Sequence, residues 1–438
     1  MNVLTLGLLI AIGIIFWILQ KSVLNLLTIF CFFWTLIVTL ASLRLFDMMS
    51  YSDQPFIIVI IGALCTMIGY CIHFIVHMQQ DNLGNALSSE EQSYDVKYNE
   101  AAIRIISIIC IVFYTYELFR VIQLLRAGTS YYIVRRMYQG YDDASFFTSS
   151  LEGYISSYVA VPAAYILSSY IIISLFKKKK NHLSFNLAII GELFYLIVSG
   201  SRFILIQFLL GAVYLFFFLG NRLSRKQKKW IVRVTVLVIA STFLLSSLRE
   251  NRVNGHTDSW GTLRSLYSYF SVSVPLLDHW SQYVDQIGVR TYGLAFFRVP
   301  LSILSLLVLH PMHIDIPALT QTIGYINLTD TFVQVFPGHT YNAFATMFYY
   351  FYLDFGYLGV CTGSLAWGWM CAKYYRLSRI EASDKNLAFL LLIIQVMYKT
   401  MVRWEFTSPS FFVAFFASYL LFRKSKSEND SEITFRRL

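Results

Sequence analysis

Charge is scarce in this sequence. Only 14% of its 438 residues are Asp, Glu, Lys or Arg, while 57% are hydrophobic. A soluble globular protein of that length needs far more charge to cover its surface, so that class is excluded. Cysteine is also scarce. All six cysteines (Cys31, Cys65, Cys71, Cys110, Cys361 and Cys371) lie inside apolar blocks, which argues against disulfides and cysteine-held zinc. There is no pair of matched halves with broken helices of the kind transporters carry, which counts against a flippase or secondary transporter. No nucleotide-binding loop is evident. The first apolar stretch, 2–20, has neither a basic leader nor a small-x-small cleavage site, and reads as a retained helix, not a signal peptide.

What is abundant is apolar sequence in long runs. Blocks at 3–20, 23–43, 55–77, 101–125, 153–176, 182–198, 203–219, 230–247, 343–372, 386–402 and 409–423 are each of a length suited to crossing a bilayer. They predict an all-α, polytopic integral membrane protein with about eleven transmembrane helices. The block 343–372 is long for one helix and reads as an interfacial helix followed by a span. An aromatic content of 17%, with 37 Phe and 30 Tyr, suits a protein solvated by lipid and its interfaces. The expected organisation is helices 1–8 over 1–247, a large loop over 248–342, helices 9–11 over 343–423, and a tail over 424–438.

The formal net charge of +10 is explained by topology, not by nucleic acid as partner, because the lysines concentrate in short loops. Lys177–Lys180 is one cluster, and Arg222, Arg225, Lys226, Lys228 and Lys229 form another. Lys373, Arg376, Arg379 and Lys385 make a third, and Arg423, Lys424 and Lys426 a fourth. Read as cytosolic markers, they set the N-terminus outside and the C-terminus in the cytosol. The segments left outside contain Arg44, Arg126, Arg135, Arg136, Arg202, Arg249, Arg252, Arg264, Arg290, Arg298 and Arg403 but no lysine; Lys399 is the nearest exception. Keeping arginine alone points to planar, bidentate anion recognition, which lysine cannot provide. Some of these arginines are expected to pair locally, as Arg249 with Glu250.

The loop 248–340, about ninety residues, is too long for a plain connector. Its stretch 290–309 is apolar but carries Arg298 and Pro300, and reads as a helix on or dipping into the outer leaflet. Trp260, Trp280 and many tyrosines accompany it, suited to stacking on sugar rings or to sitting at headgroup level.

Four groups of residues can carry chemistry. Ser199-Gly200-Ser201-Arg202 is a tight turn that sets Arg202 at a helix N-terminus, either a phosphate site or a capped hairpin at the headgroups. Gly338-His339-Thr340-Tyr341-Asn342 opens the long block, with Asp354-Phe355-Gly356-Tyr357-Leu358-Gly359 beyond it. His339 there can exchange a proton near neutral pH, or serve structure alone. Within the spans, Glu117 and Arg120 lie one turn apart and could pair, whereas Glu192 has no partner nearby in sequence and is a functional candidate by default. Arg403-Trp404-Glu405 could meet a phosphosugar or be a belt tryptophan beside a surface ion pair. His73 and His77 have helical spacing but no third ligand, and read as interfacial, not as a metal site.

The Gly-Ser-Arg turn, the large late loop, the His-x-x-Asn opening a helix and the acid-x-Gly-x-x-Gly beyond it together resemble the O-antigen polymerase and ligase superfamily. The closest resemblance is to the Wzy-type oligosaccharide repeat unit polymerases, GT-C-like membrane glycosyltransferases. That resemblance implies joining of undecaprenyl-pyrophosphate-linked glycans, donor and acceptor both lipid-linked, on the outer face of a bacterial plasma membrane. The product would be O-antigen, as in lipopolysaccharide, or capsule. A chain-length regulator and a flippase would be partners, with no cofactor and no metal. Arg202, Arg249, Arg252, Arg264, Arg298 and Arg403 would hold pyrophosphate. His339, Glu405 or Glu192 would act as base, and Trp260, Tyr341 and Asn342 would meet sugar. A ligase of the same superfamily remains open, although ligases carry a more compact His-Asn neighbourhood and His310 and His313 lie well upstream here. A flippase or exporter, and a non-catalytic scaffold, remain open as other classes.

Overall fold

The computed structural model describes residues 1–87, 94–140, 145–177, 180–200, 202–220, 225, 228–229, 232–233, 236, 261–309 and 312–426. In chain order the elements are α1 (Asn2–Gln20), α2 (Leu26–Leu43), α3 (Gln54–Leu87), β1 (Tyr94–Tyr98), α4 (Glu100–Arg126), α5 (Tyr131–Tyr138), α6 (Ser150–Ile155), α7 (Val161–Phe176), α8 (His182–Ser199) and α9 (Arg202–Phe218). They continue as α10 (Gly261–Ser271), α11 (Ser273–Gln286), α12 (Arg298–Leu304), α13 (Pro317–Asn327), β2 (Val333–Phe336), β3 (His339–Tyr341), α14 (Thr346–Phe355), α15 (Tyr357–Ile380), α16 (Asp384–Lys399), α17 (Pro409–Ala417) and β4 (Phe422–Lys426).

Among the described residues the architecture is all-α, with two small antiparallel ribbons, β1–β4 and β2–β3. Among the described residues six helices are long and apolar enough to cross a membrane, the design of a multi-pass membrane protein: Asn2–Gln20, Leu26–Leu43, Gln54–His77, Glu100–Arg126, Ser150–Phe176 and His182–Ser199. Ile204–Phe218, Arg298–Leu309 and Pro409–Leu421 are apolar but shorter. The expected block 230–247 falls largely outside the described residues. The block 343–372 is broken at Gly356 into α14 and α15. Ile105, Ile108, Val112, Tyr116 and Phe119 stand exposed along α4. Such a row is costly in water and suited to lipid.

The chain forms two compact units. The first comprises Met1–Glu90, Asp258–Arg376 and Val396–Ser408; the second comprises Glu91–Thr257, Leu377–Gln395 and Pro409–Leu438. In the first, α1 and α2 form a hairpin locked by Asn25, which is fully buried. Its Oδ1 caps α2 by accepting from Thr28 N–H at 2.7 Å, while its Nδ2 donates to Ser22 O at 2.8 Å. Helices α3 and α15 cross with backbones touching, because a methyl group at Gly69 would strike Leu365 O and one at Gly368 would strike Thr66 O. The core of this unit is aromatic: Trp34 packs on Phe348 at 4.9 Å, and Trp404 on Phe351 at 5.1 Å and Trp367 at 5.8 Å.

In the second unit α8 packs against α4 and α7, and α17 against α7. Pro162 has no N–H to give to the preceding turn, and the helix Ser150–Phe176 widens to a π turn over Ser156–Ala160 just before it. Ribbon β1–β4 pairs Tyr94 with Lys426 through Tyr98 with Phe422. Asp384 ties this region together, accepting from Tyr98 N–H at 3.0 Å and pairing with Lys177.

Candidate functional site

The site is built in the first unit around the hairpin β2–β3. Pro337 and Gly338 make its turn, and Gly338 takes φ 71°, the left-handed conformation that the third residue of a type II turn requires. The base of the hairpin is closed by Asn342, whose Nδ2 donates to Asp330 O at 2.8 Å, and by Ala343 N–H, which donates to Thr329 O at 2.7 Å. His339 therefore stands at the turn end, and Asp330 with Asn342 at the base.

At the turn end, Arg264 on α10 brings Nη1 to 2.8 Å from His339 Nε2. A guanidinium can only donate. His339 Nε2 must then be the acceptor, so the imidazole in this arrangement is neutral and carries its proton on Nδ1. The same guanidinium lies 5.5 Å from the centre of the Phe46 ring. Its Nε is buried with no hydrogen-bond acceptor among the described residues. Tyr267, one turn along α10 from Arg264, packs edge-on against Phe46 at 5.5 Å.

At the base, Arg403 Nη2 stands 3.9 Å from Asp330 Oδ1, a loose pair with both side chains about a third exposed (35% and 38%). Arg403, Asp330 and Arg298 all lie near enough to the buried Tyr350 to act on its hydroxyl electrostatically. From His339 to Asn342 is three residues of chain, about 10 Å when extended. Two cationic groups, one with a histidine, thus flank one short hairpin.

Arg298 is set by Asp354, which is 2% exposed. Its carboxylate accepts from the N–H groups of Gly293, Ala295 and Phe296 at 2.9, 2.9 and 2.8 Å and from Thr291 Oγ1 at 2.5 Å. This knot pins the loop that runs into α12, whose first residue is Arg298. Arg290, by contrast, is engaged elsewhere, with its Nη2 2.6 Å from Asp285 Oδ1.

The remaining predicted residues are placed as follows. Tyr341 is half-buried against Phe336 at 5.6 Å. Glu405 is 2% exposed and forms an ion pair with Lys399. Trp404, at 1% exposure, is a core residue stacked on Phe296 at 5.7 Å, neither a belt tryptophan nor a surface for sugar. Glu192 belongs to the second unit and accepts from Ser168 Oγ; its Oε2 is buried with no partner among the described residues. Arg202 opens α9, but its side chain lies outside the described residues, as do Arg249, Arg252 and Trp260 entirely. Gly200 closes α8 in the left-handed conformation, its N–H donating to Leu196 O at 3.0 Å, and Ser201 of the expected turn lies outside the described residues. Arg120 pairs with Glu152 of α6 at 2.7 Å, not with Glu117. His73 is buried and packs its ring on His77 at 4.2 Å and on Trp369 at 4.8 Å.

Among known proteins, no family model, no curated protein and no solved structure matches this chain. The case for function therefore rests on the residues themselves. Sequence reasoning missed Phe46, Asp330 and Tyr350, since nothing in their local spacing ties them to Arg264 or Arg403. Asp354 carried a signal, standing in the acid-x-Gly-x-x-Gly motif ahead of Gly356.

Proposed function

We propose that this chain is a Wzy-type polymerase of the bacterial plasma membrane, joining oligosaccharide repeat units carried on undecaprenyl pyrophosphate into a surface polysaccharide. In this reading about eleven spans cross the bilayer, as the apolar blocks of the sequence indicate. The N-terminus lies outside and the C-terminus in the cytosol, and the hairpin site faces outward. The observation that carries the reading is the contact between Arg264 and His339, 2.8 Å apart, on the hairpin whose base bears Arg403. Cations that can bind an anion bidentately and a neutral imidazole are the parts a transfer from a lipid pyrophosphate needs.

The acceptor sugar hydroxyl attacks the anomeric carbon of the donor glycan. The bond from that carbon to the pyrophosphate oxygen breaks, and the lipid pyrophosphate leaves with the bonding electrons. Arg298 and Arg403 offset the charge that develops on it. Arg264 turns its donors to the same anion and so frees His339 Nε2, which takes the hydroxyl proton. General-base assistance of this kind contributes roughly 10²–10⁴ in rate.

The test is to incubate the purified chain in detergent with lipid-linked repeat units and resolve the glycans by size. A ladder of longer glycans supports the reading. No lengthening with a folded protein and a verified substrate sinks it.

A further inference from the structure

Glu117 of α4 is fully buried, and neither of its carboxyl oxygens meets a hydrogen-bond donor among the described residues. Nothing in the proposed transfer uses it. Its carboxyl lies within hydrogen-bond reach of that of Glu152, in the first turn of α6. Glu152 is buried as well but well supplied with donors. Its Oε1 accepts from Arg120 Nη1 at 2.7 Å, and its Oε2 accepts from Thr148 N–H at 2.8 Å and Thr148 Oγ1 at 2.7 Å. Such a set, with a guanidinium in it, marks Glu152 as an ionised carboxylate. A carboxylate has about four acceptor sites, so one remains for Glu117.

The groups that face Glu117 are Arg120, one turn along the same helix, Glu152 of α6 and Tyr138 of α5. Arg120 gives its ion pair to Glu152. The hydroxyls of Tyr138 and of Tyr114, one turn back on α4, are buried without a hydrogen-bond partner among the described residues, so neither donates to Glu117. From α8, Tyr195 packs its ring on Tyr114 at 5.1 Å, and Glu192 acts on Cys110, two turns before Glu117. Helix α7 and the π turn ahead of it carry no charged side chain. A second carboxylate at this place would be buried against the first with no donor of its own, and a carboxyl so placed takes up a proton instead. Two carboxylates have no hydrogen to share, whereas a carboxylic acid and a carboxylate do.

We infer that Glu117 and Glu152 hold one proton between them, an intramembrane proton-binding site in which Glu117 is the carboxylic acid and Glu152 the acceptor. Its occupancy sets the partner of Arg120. With the proton in place, Arg120 belongs to Glu152 and ties α4 to α6. Once the proton leaves, both carboxylates compete for Arg120, which lies three residues from Glu117 on the same face of α4. Glu152 also holds Thr148 ahead of α6, and the π turn over Ser156–Ala160 begins one turn beyond it. The joint between α4 and α6 therefore loosens as the proton departs.

The experiment is infrared difference spectroscopy of the full chain in a maltoside detergent, which has no carbonyl of its own, as the buffer is exchanged from neutral to alkaline pH. Wild type is expected to lose a carboxylic-acid carbonyl band and to gain carboxylate bands of matching size. Glu117→Gln keeps the shape and neutrality of the acid. It should abolish that loss and leave the melting temperature at neutral pH close to that of wild type. Glu152→Gln takes a carboxylate away from Arg120 and Thr148 and should lower the melting temperature. Glu192→Gln removes another carboxyl within the spans and should leave the band assigned to Glu117 in place.

A carbonyl loss in Glu117→Gln equal to that of wild type overturns the site. So does a wild type that shows no carboxylic-acid band. Glu152→Gln melting with wild type while Glu117→Gln melts early also overturns it, since the proton would then sit on the other carboxyl. The readout needs no turnover, so absence of glycan lengthening by wild type would contradict the polymerase reading while leaving this site standing.

Discussion

Arg264 donates from Nη1 to Nε2 of His339 across 2.8 Å, joining α10 to the first residue of β3 over 75 positions of sequence. The bond assigns the imidazole proton to Nδ1 and engages the lone pair that a general base would use. In the proposed mechanism the base and the anion-binding arginine would thereby be coupled, one being released as the other takes its ligand.

Lys399 and Glu405 form a buried ion pair beside Arg403 and Trp404. Removing one partner takes the ion-pair contact from the other, a buried charge, so Lys399→Met should cost about 3–5 kcal/mol of stability. The double variant Lys399→Met/Glu405→Leu should recover most of that loss. Apparent melting temperatures in detergent provide the check. A double variant no more stable than the single one would show that the pair is not self-contained.

Asp354 collects three backbone N–H bonds and one hydroxyl bond from residues 291–296. An amide in its place offers fewer acceptor sites and turns its own N–H₂ toward backbone donors. Asp354→Asn should therefore lower stability by about 2–4 kcal/mol and loosen the start of α12. Hydrogen exchange at 291–298 should rise in step. Unchanged exchange there would contradict the assignment of Asp354 as the anchor of Arg298.

The apolar runs made much of this architecture legible. α1, α2, α4 and α8 lie close to where their blocks were expected, since twenty apolar residues specify a span without knowledge of partners. The end of α8 at Gly200 and the break in the 343–372 block were legible for a similar reason, being set by local backbone chemistry. Partners were not. Arg120 bonds to Glu152, 32 positions away, and Arg264 lies over Phe46, 218 residues earlier in the chain; no helical periodicity encodes either. Trp404 was open between a phosphosugar contact and a belt tryptophan, because its core neighbours Phe296, Phe351 and Trp367 come from a loop and two helices far off in sequence. The strand 94–98 was hidden because its pairing with 422–426 is wholly long-range.

Asp285 gives a pH dependence with a definite sign. Burial pushes its carboxyl upward, but hydrogen bonds from Arg290, Tyr352 and Gln54 outweigh this and hold it below the ordinary carboxylate range. A depressed folded-state value contributes stability that is present above the unfolded value, about 3.9, and is lost as pH falls through the folded one. Asp285→Asn should thus be less stable than wild type at neutral pH. The gap should close as pH drops below about 4. A gap that is constant from pH 7 to pH 3, read by thermal unfolding, would contradict it.

The most direct test of the central claim is a double-mutant cycle on the rate of glycan lengthening from lipid-linked repeat units, using wild type, Arg264→Gln, His339→Gln and the double variant. If the two residues act as one coupled device, each single change should cost about 10²–10⁴ in rate and the double should cost little more than either. Losses that multiply independently, or single variants that lengthen glycans at the wild-type rate, would contradict the account.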